Sequence, residues 1–293
     1  MHNFQASYKL ILNELMKITN KDEFYFKPIK PKLSDIELIS LVILAEFKSI
    51  DSEHQLFREL KDTALENKIE RSVYNRRKRK LFPYLEEIRF KMTEKFNEFE
   101  NYFVVDSMPL EVCKLSRSSR SKICKEQDHA RPNKGYCASQ NLHFYGYKLH
   151  AVCSIEGVFQ SFDLSPASVH DIHYLKDIKE QMSDCVILGD KGYLSQNVQI
   201  DLFNQANIEL ETPKRKNQKD YLPQFYQFKK YRKRIDTLFS QLCDQFMIRR
   251  NYAKSFDGFR TRILAKITTL TTIQYLNKFL FNRNINNLKI NLV

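Results

Sequence analysis

Three carboxylates stand beside apolar runs in a way that suits metal-ion chemistry. Asp106 lies in VVDSMPL, Asp190 in VILGDKGY and Asp236 in YRKRIDTLFSQL. The first two phrases predict buried strands with the acid at the strand end, and the third predicts a helix. Three separated acids on a rigid core can hold divalent metal ions for phosphoryl transfer. For any one Asp alone, a helix cap, a turn residue or a surface charge is the commoner role.

The helix that carries Asp236 is predicted to begin near Gln224 and to run into the 240s. Its apolar positions fall on one stripe at helical spacing: Ile235, Leu238, Phe239, Leu242 and Phe246. Asp236 lies about 100° from Ile235, at the edge of that stripe. Asp244 lies nearly opposite the stripe and is expected to face solvent. Helical geometry therefore selects Asp236 over Asp244 as the site carboxylate.

Residues 1–98 read as helices and contain no strand-like run. A capping box at Ser34 and Glu37 opens one of these helices. A later helix carries a basic cluster that includes Arg76, Arg77 and Arg79. Short helices followed by a basic one suit a helix-turn-helix-like DNA-binding domain. A helical bundle with one charged face explains the pattern equally well.

The character of the chain changes near Asn101, where strand-like runs begin. The predicted order is β, β, β, α, β, α, β, α, with a hairpin turn at Glu156 and Gly157 and a helix capped at Ser168. This order indicates an α/β fold, a mixed sheet with flanking helices. We therefore expect an all-α domain over residues 1–98, a catalytic domain over 99–255, and a helical extension over 256–293 that packs on the catalytic domain.

The net charge of +13 is unevenly distributed. Residues 212–293 hold 18 Lys or Arg and 4 Asp, and residues 1–211 have a balance of −1. The basic residues alternate with aromatic ones: Tyr221, Phe225, Tyr226, Phe228 and Tyr231. A basic, aromatic-rich segment suits a polyanion, above all nucleic acid. The alternative is a solvated helix face.

Several phrases in order resemble the DDE transposases of bacterial insertion sequences, and among them insertion-sequence family 982 of the insertion-sequence 4-like group. The matching phrases are VVDSMPLEVC, HFYGYKLHAV, LSPASVHD, LGDKGYLS and RKRIDTLFSQL, continued by FRTRILAKITTLTTIQYLN. The resemblance covers roughly residues 100–280. It implies an RNase H-like catalytic domain in which Asp106, Asp190 and Asp236 bind two Mg²⁺ ions, with Mn²⁺ as a possible substitute.

Asp236 departs from the family pattern, because such transposases have glutamate at this position. Aspartate is shorter by one methylene, and a catalytic group misplaced by about 1 Å can cost about 100-fold in rate. No glutamate follows Glu211, so no neighbour could take the place of Asp236. Either Asp236 reaches the metal through a small backbone adjustment or a water, or this protein is impaired. Arg232, one turn earlier, is the only other member of the family signature that can be placed here.

The resemblance implies that the protein binds double-stranded DNA, both the terminal inverted repeats of its element and the target, and cleaves and joins it. Lys148, Lys191, Tyr193 and Arg232 are candidate phosphate contacts near the acids. A homodimer on paired ends is expected, in the bacterial cytoplasm with the nucleoid and without a membrane. The alternatives are a metal-dependent nuclease without strand transfer and an inactive relic that only binds DNA.

Overall fold

The computed structural model describes residues 2–96, 100–138, 140–214, 221–289 and 292. The chain divides into two compact units. The helical unit comprises Met1–Lys95, Leu242–Ala253 and Asp257–Val293, and the sheet unit comprises Phe96–Gln241 and Lys254–Phe256. No helix in the described part of the chain is long and apolar enough to cross a bilayer.

In the described part of the chain, the helical unit contains five N-terminal helices and one long C-terminal helix. They are α1 (His2–Thr19), α2 (Asp35–Phe47), α3 (Glu53–Glu59), α4 (Arg71–Lys80), α5 (Phe82–Glu94) and α9 (Phe256–Tyr275, its first residue in the sheet unit), and a π-helical turn (Leu276–Leu280) follows α9. The predicted capping box is present: Ser34 Oγ accepts from the Glu37 amide, and the Glu37 carboxylate accepts from the Ser34 amide. An all-helical N-terminal region is therefore confirmed.

The basic cluster on α4 has two different faces. Arg77 is buried, and its guanidinium donates to the Asp35 carboxylate at 2.7 Å and to the Leu33 carbonyl at 2.8 Å. Arg76 and Arg79 are exposed. A helix places consecutive residues about 100° apart, so neighbours in a charge run can face the core and the solvent. Arg77 was predicted to bind DNA, but here its side chain is committed to holding a buried carboxylate.

Helix α9 packs within the helical unit. The Lys266 ammonium contacts the Glu46 carboxylate of α2 at 2.5 Å and the Phe246 carbonyl at 2.7 Å, and all three groups are buried. The sequence had grouped residues 256–293 with the catalytic domain. The structure groups nearly all of them with the N-terminal helices instead, because the partner of the buried Lys266 lies on α2.

The sheet unit is built on one sheet, to which six strands contribute in the described part of the chain. The strands are β1 (Tyr102–Cys113), β2 (Asn133–Cys137), β3 (Leu142–Ser154), β4 (Phe159–Pro166), β5 (Cys185–Leu188) and β6 (Ile208–Glu211). The order across the sheet is β2–β3–β1–β5–β6, with β4 also pairing with β3. Strand β3 runs antiparallel to both β1 and β4. Strand β5 pairs parallel with β1, and β6 pairs parallel with β5. This is the predicted mixed, RNase H-like sheet.

Helices α6 (Leu175–Ile178), α7 (Gln196–Ala206) and α8 (Tyr226–Asp244) complete the sheet unit, apart from the last residues of α8. The hairpin turn at Gly157 and the long helix α8 are confirmed. The prediction of a helix that begins at Ser168 is wrong. The Ser168 hydroxyl accepts a hydrogen bond from the Asn133 side-chain amide, and the chain then forms a 3-10 turn capped by His170 before the short helix α6.

We expect Arg77→Gln to lower the free energy of unfolding by about 2–4 kcal/mol, because it removes one of the two cations that pair with the buried Asp35 carboxylate and leaves it with Lys27 and the Phe24 amide. Arg76→Gln is the matched control on the next residue, and exposed substitutions change stability by about 0.5 kcal/mol or less. Chemical denaturation of both variants measures the difference. Equal stability of the two variants would contradict the structural role of Arg77.

Candidate metal-binding site

Strand β1 carries Asp106 on a continuous hydrophobic support. Phe103, Val104 and Val105 are buried, and Asp106 itself is half-buried. The Asp106 carboxylate accepts a hydrogen bond from the Ser107 amide at 2.7 Å, which fixes its direction. The sequence predicted that this strand ends at the acid. It continues instead to Cys113, because β1 pairs with β3 over that length.

Strand β5 brings Asp190 beside Asp106. The last parallel pair is Val104 with Leu188, and each aspartate follows two residues later, Asp106 within β1 and Asp190 just beyond the end of β5. The two acids therefore occupy equivalent positions at the point where β5 ends. Asp190 caps the 3-10 turn Lys191–Tyr193, and its carboxylate accepts from the Gly192 amide at 2.7 Å. Each acid is thus held by one backbone N–H group.

Helix α8 supplies the third carboxylate. Ile235 is buried while its neighbour Asp236 is exposed, and Asp244 is exposed as predicted. Phe239 of the same helix packs against Phe159 with ring centroids 6.3 Å apart, which fixes α8 against the sheet. Arg232 lies one turn before Asp236, and its charge acts on both Asp236 and Asp106.

The three acids share one electrostatic environment. Burial raises the pKa of Asp106 to about 7, the Ser107 amide opposes the rise, and the negative charges of Asp190 and Asp236 add to it. Burial also raises the pKa of Asp236, and Arg232 opposes it. A carboxylate held half-buried near two others is destabilised when ionised and gains from a nearby cation.

The donor set fits a hard divalent cation, because all three side chains offer carboxylate oxygens. The arrangement is nevertheless open: among the described residues, no group of three or more His, Cys, Asp or Glu side chains stands close enough to hold a metal ion. The sequence predicted the three acids but not that they would fall short of such a group. Asp106 and Asp190 are paired by strand register, whereas Asp236 depends on the placement of a helix.

The predicted phosphate contacts near the acids are in different environments. Lys191 is exposed beside Asp190, and Arg232 is half-buried. Lys148 donates to the Asp171 carboxylate at 2.9 Å and to the Val169 carbonyl at 3.0 Å. Tyr193 is only 1% exposed, because the turn that sends Lys191 outward sends the Tyr193 ring into the core beneath Gly189. Tyr193 therefore cannot contact DNA in this conformation.

A buried polar group that the sequence did not predict lies on β3. His150 is 1% exposed, its Nε2 lies 2.7 Å from Ser165 Oγ, and its ring stacks on Tyr174 at 5.3 Å. Burial lowers the pKa of His150 to about 4, although Asp171 opposes this. Asp171 pairs with Lys148 at 2.9 Å. Only the spacing of Lys148 and His150, two apart on one face of a strand, could have suggested their grouping.

A family comparison agrees with this geometry. The profile of the Transposase DDE domain family matches residues 97–272. The chain belongs to that family. The match includes Asp106, Asp190 and Asp236, and it confirms the broader part of the predicted resemblance, a DDE transposase.

Two solved structures are similar to this transposase-family chain. One is the Mos1 transposase paired-end complex with left transposon end, at 12% identity and a TM-score of 0.23, over 87% of this chain and 82% of that one. The other is the crystal structure of the Mos1 mariner paired end complex with Mn, at 12% identity and a TM-score of 0.21, over 90% and 86%. Similarity at this level carries no argument about the site. Curated protein sequences give no significant match.

We expect the stability of the metal-free protein to fall as pH rises from about 4 to 7, because only the folded state keeps Asp106 protonated in that range. Asp106→Asn removes this dependence. The variant should match the wild type near pH 4 and be more stable by roughly 1–3 kcal/mol at pH 8. Chemical denaturation at both pH values measures this.

Addition of Mg²⁺ or Mn²⁺ should narrow the difference in stability between the wild type and Asp106→Asn at pH 8, because a cation stabilises the ionised Asp106 carboxylate of the wild type. Asp177→Asn, at an exposed position of the sheet unit, is the control; it keeps Asp106 and should therefore retain the pH dependence of the wild type. A difference between Asp106→Asn and the wild type that is the same at both pH values would contradict the assigned pKa.

We expect Tyr193→Phe to be as stable as the wild type or more stable, by up to about 1 kcal/mol, because the buried hydroxyl has no hydrogen-bond partner among the described residues. DNA affinity, measured by fluorescence anisotropy, should not change. A loss of affinity without a loss of stability would restore Tyr193 as a DNA contact.

Proposed function

We propose that this DDE transposase binds the terminal inverted repeats of its insertion sequence and catalyses metal-dependent DNA cleavage and strand transfer through Asp106, Asp190 and Asp236. The observation that carries the proposal is the register of β1 with β5. Asp106 and Asp190 each lie two residues past the last paired residues, and a third acid on α8 adds to the charge around Asp106. Membership of insertion-sequence family 982 remains part of the prediction.

The side chains of this protein have distinct tasks in the proposed reaction. Asp106 and Asp190 would hold the divalent cations, with their carboxylates oriented by the Ser107 and Gly192 amides. Asp236 would close the site from α8. Two bound Mg²⁺ ions, or Mn²⁺ in their place, supply Lewis-acid stabilisation of the oxygens at a DNA phosphate. Lys191 is exposed beside Asp190 and is placed to attract that phosphate.

Exposed side chains at the start of α8 support DNA binding by the sheet unit. Phe225 and Tyr226 are 75% and 81% exposed, and Lys229 and Lys230 follow them. Exposed aromatic rings stack on bases and lysines contact phosphates. Arg76 and Arg79 on α4 are the corresponding candidates in the helical unit. Pairing of two element ends by a homodimer belongs to the same proposal.

The position of Asp236 favours a second candidate function, that of an inactive transposase relic that binds DNA. Asp236 is exposed, and the described acids do not form a closed metal cluster. Aspartate also reaches less far than the glutamate that the family pattern has here. A metal-dependent nuclease without strand transfer would use the same acids and differ only in the second reaction step.

The decisive experiment compares wild type, Asp106→Asn and Asp190→Asn on duplexes that carry the DNA flanking the reading frame. We expect either substitution to reduce cleavage with Mg²⁺ or Mn²⁺ at least about 100-fold, because each removes a carboxylate from the site. DNA affinity should change less than about threefold. Unchanged cleavage by both variants would refute the assignment, and a wild type that binds without cleaving would favour the relic.

Asp236→Glu tests the third acid. Its longer side chain should raise the cleavage rate if the shorter natural residue limits activity, by up to about 100-fold. Asp244→Glu is the matched control on the same helix and should leave the rate unchanged. A rate for Asp236→Glu equal to or below that of the wild type would show that α8 is already positioned for aspartate.

A further inference from the structure

The segment between β1 and β2 borders a cavity of about 710 Å³ whose charged lining is entirely basic. Arg117, Arg120 and Lys122 come from this segment, and Lys254 comes from the chain that follows α8. No Asp or Glu lines the cavity. The whole lining belongs to the sheet unit.

The four cations of this basic cavity form no ion pair among the described residues. Two other lysines of the same unit are each paired with an acid: Lys148 with Asp171, and Lys179 with Asp201. The four side chains around the cavity are exposed, so their charges are solvated and available. Positive charge concentrated around a concavity attracts and concentrates an anionic ligand.

The non-charged part of the lining suits a nucleotide better than a small inorganic anion. Ile123 and Cys113 are half-buried and give the cavity an apolar surface between the cations. A cavity of several hundred Å³ can enclose a ligand of nucleotide size. A DNA strand offers both chemistries that this lining requires, phosphates for the cations and sugars and bases for the apolar surface.

Backbone hydrogen bonds hold the walls of the cavity in place. The Ser121 amide donates to the Arg117 carbonyl at 3.0 Å, and the Cys124 amide donates to the Lys254 carbonyl at 2.8 Å. The second bond ties the segment that carries Lys254 to the segment that carries the other three cations. A binding site formed in advance loses less conformational entropy when its ligand arrives.

The distance between Asp106 and the basic cavity can be compared with the length of a DNA duplex. Cys113 follows Asp106 by seven positions on the same strand, which is about 23 Å at about 3.3 Å per residue. A DNA duplex rises about 3.4 Å per base pair, so this distance spans about seven base pairs. A duplex with its reacting phosphate at Asp106 can therefore extend to the basic cavity.

We propose that the basic cavity binds the phosphodiester backbone of one DNA strand, about seven base pairs from the reacting phosphate. This inference rests on the proposed function, because it takes the DNA to be held at Asp106. It adds a second contact that fixes the direction in which the duplex leaves the acids.

The first test is the salt dependence of binding to a 30-base-pair duplex of arbitrary sequence, measured by fluorescence anisotropy in EDTA. Lys122→Gln combined with Lys254→Gln should weaken binding about 10- to 50-fold at 0.1 M salt and reduce the slope of log affinity against log salt by about 2. The control is Lys134→Gln combined with Lys176→Gln. It removes the same charge from two exposed lysines outside the cavity and should weaken binding less than about threefold.

The second test uses Cys113, a free thiol in the cavity lining, as a reporter. The duplex should slow alkylation of Cys113 at least about fivefold and leave Cys137, a half-buried thiol on β2, unaffected. Peptide mass spectrometry gives both rates. The Lys122/Lys254 double variant should lose this protection at a DNA concentration that still protects the Lys134/Lys176 double variant.

The outcomes separate this inference from the proposed function. If the protein binds the duplex while Cys113 reacts at an unchanged rate, or if the two double variants weaken binding equally, the basic cavity is not a DNA site and the proposed function stands. If polyglutamate protects Cys113 as well as DNA does, the assignment to DNA fails. If the wild type binds no DNA at all, both proposals fail.

Discussion

The parallel pairing of β1 with β5 is the constraint on which the site depends. It brings Asp106 and Asp190 to equivalent positions on neighbouring strands and holds two like charges near each other in a half-buried environment. The sheet supplies the rigidity that this repulsion requires, since β3 pairs with β1 on the other side over almost its whole length. A shift of one residue between β1 and β5 would turn one acid to the opposite face.

Several polar side chains near this pair of acids are buried or paired with other protein groups. Tyr193 fills the core beneath Gly189, His150 is buried with Ser165 and Tyr174, and Lys148 is paired with Asp171. These groups support the strands and the turn that carry the acids, and they are unsuited to touching DNA. Exposed positive charge in the same unit lies at Lys191, at the start of α8 and around the basic cavity.

Much of the architecture was predictable because it rests on local patterns. Apolar runs marked β1 and β5, the apolar stripe marked α8, and the capping box marked the start of α2. The errors arose where a long-range partner decides the outcome. Ser168 is engaged by Asn133 rather than beginning a helix, and the buried Lys266 is matched by a carboxylate on α2, so the C-terminal helix groups with the N-terminal ones.

The sequence by itself determined the three acids, the mixed sheet, the family to which they point and the excess of basic residues toward the C-terminus, because periodicity, composition and short phrases are local properties. Only the tertiary structure decided which charges are available. Arg76 and Arg77 are neighbours in one basic run, yet one is exposed and the other holds a buried carboxylate. The raised pKa of Asp106 is likewise tertiary, because burial and the charges of Asp190 and Asp236 fix it and no spacing in the sequence encodes it.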